Sequence, residues 1–238
     1  MKNLSSISII ILLMLNISCS QKASVKSPLE GQATYPALDH GVIKINDYID
    51  KNTYNQYGVA TFAGGCFWCT EAAFERIEGV VDVISGYSAG QDPSPTYKKI
   101  GTGTTGHAEA IQIYYDKTKI DYKTLLDVFF IAHDPTTLNR QGPDRGTQYR
   151  SGIYYRTDDE KIAIDAAIAK WNEKGVYKNP IITEVAKYTE FWVAEGYHQN
   201  FYELNPSQSY VSNVSRPKVE KVLSKYPDLI KEKFKTKQ

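Results

Sequence analysis

Between Gly58 and Gly79 the chain passes from strand to helix through one tight turn, and any fold it adopts must make room for that turn. Gly58-Val59-Ala60-Thr61-Phe62 reads as a short strand. Gly64-Gly65 allows a sharp change of direction, and residues 71–78 are a run of helix formers stopped by Gly79. Cys66 therefore falls at or near the helix N-terminus. There, unpaired backbone N–H groups and the positive end of the helix dipole favour a thiolate over a thiol, the usual condition for a reactive cysteine. A cysteine taken alone is more often a small buried core residue. The glycine pair before Cys66, the aromatic pair Phe67-Trp68 after it and a second thiol at Cys69 together point to reactivity instead.

The remaining chain sets the context for that thiol. Its 238 residues, 42% hydrophobic and 23% charged, suffice for one sizeable core. A net charge of +1, with no basic stripe beyond the run at residues 231–237, gives no electrostatic footing for nucleic acid. His40, His107, His133 and His198 lack metal-ligand spacing, so neither a metal nor a bound cofactor is expected. Lys2 and the apolar run that follows read as a secretory signal, too short to span a membrane. Asn16-Ile17-Ser18-Cys19 resembles the processing site of bacterial lipoproteins, at which Cys19 would be lipidated. The expected organisation is a signal peptide over 1–19, a tether over 20–56 with a short helix near Asp47, a catalytic domain over 57–205, and a C-terminal segment with a helix over 206–238. Such a protein is exported to the cell envelope or periplasm and meets the membrane only through its lipid.

Within the domain, residues 80–85 form a β-branched run, and the Gly- and Pro-rich stretch 88–106 reads as a long loop. That loop ends in Gly101-Thr102-Gly103-Thr104-Thr105-Gly106, which has the spelling of a dinucleotide fingerprint but lacks the strand before and the helix after that the motif requires. Residues 108–115 alternate with a period of two, so that Glu109, Ile111, Ile113 and Tyr115 share one face. A carboxyl group facing a core without a cationic partner has a raised pKa. Asp121 caps a helix whose apolar positions are Tyr122, Leu125, Leu126 and Phe129. Residues 148–156 read as a strand with Tyr149, Ser151, Ile153 and Tyr155 on one face, and Thr157 with Glu160 makes a capping box for the helix that follows. A strand over 180–186, a short helix over 197–204 and a helical segment over 218–234, interrupted at Pro227, complete the pattern. Strands and helices mix without strict alternation, which favours an α+β sandwich.

Taken in order, Gly64-Gly65-Cys66-Phe67-Trp68, Pro95-Thr96-Tyr97, Thr105-Gly106-His107-Ala108-Glu109, His133-Asp134-Pro135-Thr136 and Gly146-Thr147-Gln148-Tyr149-Arg150-Ser151 resemble the A-type peptide methionine sulfoxide reductases over residues 59–202. The resemblance implies a two-layer α+β sandwich with a ferredoxin-like core of mixed sheet and flanking helices. It also implies reduction of the S epimer of methionine sulfoxide, free or in oxidised proteins. Carried over by residue, it makes Cys66 the nucleophile, Glu109 the proton donor, and Tyr97 and Tyr149 hydroxyl donors to the sulfoxide oxygen. Phe67 and Trp68 would hold the methyl group, with Asp144, His107 and Tyr197 as further substrate contacts. These types suit the chemistry, because a sulfoxide sulfur yields to a thiolate only when its oxygen is protonated or strongly hydrogen-bonded. The product is a sulfenic acid that another thiol must resolve.

The family often carries resolving cysteines near its C-terminus, whereas no cysteine lies beyond Cys69 in this chain. Cys69 is therefore the expected resolving thiol, at a helical i, i+3 spacing of about 5 Å that a disulfide can bridge. A thioredoxin-like dithiol would then return the electrons. Two other readings stay open: a thioredoxin-like dithiol oxidoreductase built on the C-x-x-C, and a surface lipoprotein with no catalytic role.

Overall fold

The computed structural model describes residues 42–235. The signal and lipidation readings on residues 1–19, Cys19 included, lie outside the described residues. In chain order the elements are β1 (Ile43–Lys44), α1 (Ile45–Tyr48), α2 (Lys51–Tyr54), β2 (Gly58–Gly64), α3 (Phe67–Glu75), β3 (Val80–Ser88) and α4 (Tyr97–Ile100). There follow β4 (Ala108–Tyr115), α5 (Tyr122–Ala132), β5 (Arg140–Gln141), β6 (Asp144–Arg145), β7 (Ser151–Tyr155) and α6 (Asp158–Glu173). The chain closes with β8 (Glu184–Lys187), β9 (Phe191–Val193), α7 (Phe201–Leu204) and α8 (Arg216–Lys225). Among the described residues no helix is long and apolar enough to cross a membrane.

The architecture is α+β: a mixed sheet in the order β1-β9-β3-β4-β2-β7-β8, flanked by helices. Its pairs are antiparallel except for β7 with β8. β4 lies at the centre, with Phe62 of β2 opposite Ile111 on one side and Tyr87 of β3 opposite Glu109 on the other. The alternation in β4 leads one to expect one dry face and one wet face, but all eight residues are buried. Ile111, Ile113 and Tyr115 pack into the core beneath α3, α5 and α8, while Ala108, Ala110 and Tyr114 belong to a second cluster with Ile45, Tyr48 and Tyr54. Residues 43–54, assigned to the tether by the sequence, therefore cover the second face of the sheet. Their Asn-, Asp- and Lys-rich composition hides three apolar anchors that local periodicity does not reveal.

Local chemistry accounts for most element boundaries. Asp121 Oδ1 accepts the Thr124 N–H at 2.7 Å and starts α5, and Thr157 Oγ1 accepts the Glu160 N–H to start α6. The Glu160 carboxylate reaches back to the N–H of Arg156 at 2.5 Å, one residue earlier than a capping box requires. The strand expected from residue 148 begins only at Ser151, because Thr147–Tyr149 close a 3-10 turn behind Gly146. Tyr149 is thereby freed from the strand's alternation. The C-terminal helix starts earlier than its sequence suggests, through a π turn at Val211–Ser215 that runs into α8.

Candidate active site

Gly65 turns the chain with φ of 84°, and a Cβ there would lie 2.4 Å from Gln141 Cγ, so only glycine closes the turn without strain. Cys66 follows as the N-cap of α3, its carbonyl accepting the Cys69 N–H at 3.1 Å. Its thiol makes no capping bond. The first free N–H of the helix, that of Phe67, donates instead to Glu109 Oε2 at 3.1 Å. A carboxyl group from the central strand thus occupies the helix end, and the thiol stands beside it.

Burial pushes the Glu109 carboxyl up to about 8, against the opposing pull of the Phe67 N–H. It is neutral at pH 7, as its place on the core side of β4 requires. Cys66 departs from expectation. Burial drives its thiol well above the ordinary value, and the neighbouring Cys69 and Glu109 push the same way while the Tyr210 hydroxyl opposes them. Cys69 is brought down to about 7, chiefly by the hydrogen bond with Cys66, against its own burial and with help from Lys218 and Ser215. The two thiols are joined by one hydrogen bond and ionise as a pair, with burial opposing the charge and Lys218 and Ser215 favouring it. A helix dipole contributes about 0.3–1 kcal/mol to a nearby anion, which is less than the cost of taking that anion out of water.

Cys66 and Glu109 open into a cavity of about 270 Å³. Phe67 and Trp68 form its apolar wall, with Phe67 also against Tyr87 at a ring separation of 5.9 Å. Trp68 is held from three sides: Phe201 stacks on it at 3.7 Å, Tyr210 meets its edge at 5.8 Å, and its indole N–H donates to His198 Nδ1 at 3.2 Å. Burial holds that imidazole down at about 4, so His198 is a neutral acceptor. Tyr97 begins α4, a turn fixed by Thr96 at its N-cap and by Glu195, whose carboxylate accepts the Tyr97 N–H at 2.9 Å and the Tyr87 hydroxyl at 2.6 Å. Burial pushes the Tyr97 phenol up to about 12 and raises Tyr149 as well, so both remain protonated donors at the cavity. Asp144 of β6 accepts the hydroxyl of Tyr210.

A family model described as peptide methionine sulfoxide reductase matches residues 58–229, most of the chain. The chain belongs to the peptide methionine sulfoxide reductase family. Peptide methionine sulfoxide reductase MsrA 1 of Rhodopirellula baltica is 51% identical over 186 residues, covering 78% of this chain and 96% of that protein. MsrA of Haloquadratum walsbyi is 53% identical over 163 residues, covering 68% and 92%. Among solved structures, Mxr1 of Saccharomyces cerevisiae in reduced form aligns with a TM-score of 0.60 at 37% identity, covering 65% of this chain and 88% of its own. Methionine sulfoxide reductase A of Corynebacterium diphtheriae also reaches 0.60, at 29% identity, covering 73% and 86%. As a member of this reductase family the protein is an oxidoreductase with an α+β fold.

Of the residues that the motifs assign to a reductase site, Cys66, Phe67, Trp68, Tyr97, Glu109, Asp144 and Tyr149 line the cavity. His107 does not. Its Nδ1 accepts the Gly90 N–H at 3.2 Å and its Nε2 bonds the Asp92 carbonyl at 2.9 Å, so it fastens the loop before β4. Tyr197 is 58% exposed and lies on His198 at 4.0 Å, outside the lining. Cys69 is buried one turn inside α3, behind Cys66. Sequence reasoning missed Tyr210 and Gln208, which complete the lining from the segment after residue 205, and also Glu195 and His198, which hold Tyr97 and Trp68 from outside the lining. No spacing pattern joins these positions to Cys66, because 130 residues separate His198 from Trp68. Among the described residues no group of three or more His, Cys, Asp or Glu side chains could hold a metal ion.

Proposed function

We propose that this reductase acts on the S epimer of methionine sulfoxide, with Cys66 as nucleophile and Glu109 as proton donor. The observation that carries the reading is their shared position: a thiol at the start of α3 and a neutral carboxyl bonded to the next N–H, both in one aromatic-walled cavity. Glu109 gives its proton to the sulfoxide oxygen while Tyr97 and Tyr149 donate to the same atom. Phe67 and Trp68 enclose the methyl group, and Asp144 orients the substrate from the far wall. Cys66 passes its proton to Cys69 along their hydrogen bond and attacks the sulfur, releasing methionine and leaving a sulfenic acid on Cys66. Cys69 then attacks that sulfur, and its proton leaves with the hydroxyl as water, giving a Cys66–Cys69 disulfide. A thioredoxin-like dithiol returns the two electrons. Assays with resolved epimers test this: turnover of the S form alone, with a dithiol donor, supports it, and equal turnover of the R form overturns it.

A second proposal concerns location. The charged and apolar start and Cys19 support export with a lipid anchor at the cell envelope. The Cys19→Ala variant should be released in soluble form. If it fractionates with membranes like the parent, there is no lipid anchor at Cys19.

A further inference from the structure

Behind the thiol pair, away from the cavity, α3 packs against the C-terminal segment. The π turn at Val211–Ser215 closes with the Arg216 N–H bonded to the Val211 carbonyl, and such a turn brings residues five apart over one another. Tyr210 and Ser215 consequently both reach the thiols. Tyr210 borders Cys66 in the cavity, and Ser215 Oγ is 3.2 Å from Cys69 Sγ. Lys218 lies one helical step beyond Ser215, on the same face. Its Nζ is buried and has no hydrogen-bond partner among the described residues. A buried, unpartnered ammonium group is costly unless it faces an anion.

We propose that Lys218 is a positioning residue for the reaction: its ammonium, together with the Ser215 hydroxyl, stabilises the single negative charge that the Cys66–Cys69 pair carries when it first ionises. The claim rests on the reading that these two cysteines form the redox pair. The groups that face Cys69 are Cys66 on α3, Glu109 on β4, Asp144 on β6, and Tyr210, Ser215 and Lys218 on the C-terminal segment. Glu109 is neutral at pH 7, so Asp144 is the negative neighbour and Lys218 the positive one that offsets it. The direction of the Cys69 shift, downward with Lys218 among its causes, agrees with the geometry.

The assignment has two consequences. It keeps one thiolate present at neutral pH, which accepts the Cys66 proton for the attack. It also keeps the resolving sulfur next to the sulfenic acid, where the disulfide must close. Neither step needs Lys218 to touch substrate.

The test is a titration of thiolate ultraviolet absorbance in the full-length reduced protein, comparing the parent with Lys218→Met and Lys218→Arg. Methionine matches the length of lysine without its charge. Removing the opposite charge should raise the first ionisation of the pair by roughly one pH unit. Turnover at pH 7 should then fall about tenfold and recover as the pH is raised; Lys218→Arg should titrate like the parent. An unchanged titration in a folded Lys218→Met variant overturns the proposal. If Lys218→Met does not fold, a Ser215→Ala titration replaces it, with a smaller upward shift expected and no shift counting against the proposal. Peptide mapping of the parent after one equivalent of substrate separates the two claims. Absence of a Cys66–Cys69 disulfide defeats the resolving role of Cys69, whereas a normal disulfide with an unshifted titration defeats only the role of Lys218.

Discussion

Two cavities of almost equal size open on opposite faces of β4, one of about 270 Å³ beside Glu109 and one of about 280 Å³ beside Gln112 and Tyr114. Both have aromatic walls. In the second, the polar groups are bonded mainly to one another. Arg156 Nη2 donates to Thr61 Oγ1 at 2.8 Å and to Gln112 Oε1 at 3.0 Å, Gln112 Nε2 donates to Tyr114 at 2.6 Å, and Tyr54 donates to Asp82 at 2.6 Å. The guanidinium lies over the Tyr188 ring at 3.9 Å, and its buried Nη1 has no hydrogen-bond partner among the described residues. In the first cavity a thiol, a neutral carboxyl and three phenols line the open space. Volume does not separate the two. Catalytic capacity comes from polar groups that the fold buries and then leaves directed at a ligand.

The sharpest way to break this contrast is Cys66→Ser. Turnover should fall by roughly 10⁴-fold or more, since the attacking atom is lost, while the melting temperature stays close to that of the parent. Sustained methionine release would move the chemistry away from the first cavity.

Glu109→Gln comes next, with a loss of roughly 10²-fold in rate. In the parent, activity should fall as the pH rises through about 8, where Glu109 gives up its proton, and the variant should lack that limb. Stability gives an independent readout. Between the ordinary value of 4.5 and about 8 the folded protein keeps a proton that the unfolded chain releases, so stability declines as the pH rises across that window. Thermal unfolding of Glu109→Gln should therefore decline less over the same range. An identical decline would show that Glu109 is not buried as a neutral acid.

A smaller effect is expected at the rim. Tyr210→Phe removes the hydroxyl that Asp144 accepts and that borders Cys66, and kcat/KM should drop by roughly tenfold, the scale of one hydrogen bond to a charged group. A change within twofold would make Tyr210 a wall residue only. The least effect on activity should come from Arg156→Met in the second cavity. It should cost about 1–3 kcal/mol of stability in denaturant titrations and leave kcat within about twofold. A large loss of activity there would dissolve the distinction between the two faces.

The sequence by itself determined what depends on a few neighbouring residues. The strand, the glycine pair and the helix placed Cys66 at an N-cap, Asp121 and Thr157 marked their helix starts, and the period of two placed Glu109 among the core residues of β4. Backbone geometry repeats over a turn or a pleat, so such positions are legible locally. Tertiary structure alone decided how the thiol pair ionises. That outcome depends on desolvation and on Ser215, 146 positions from Cys69, as well as on Lys218 beyond it. The same holds for the cover that Ile45, Tyr48 and Tyr54 lay over the second face of the sheet, and for the arrival of Tyr210 at the thiol. Burial is a property of everything that packs around a group, and a chain read in order shows only what lies beside it.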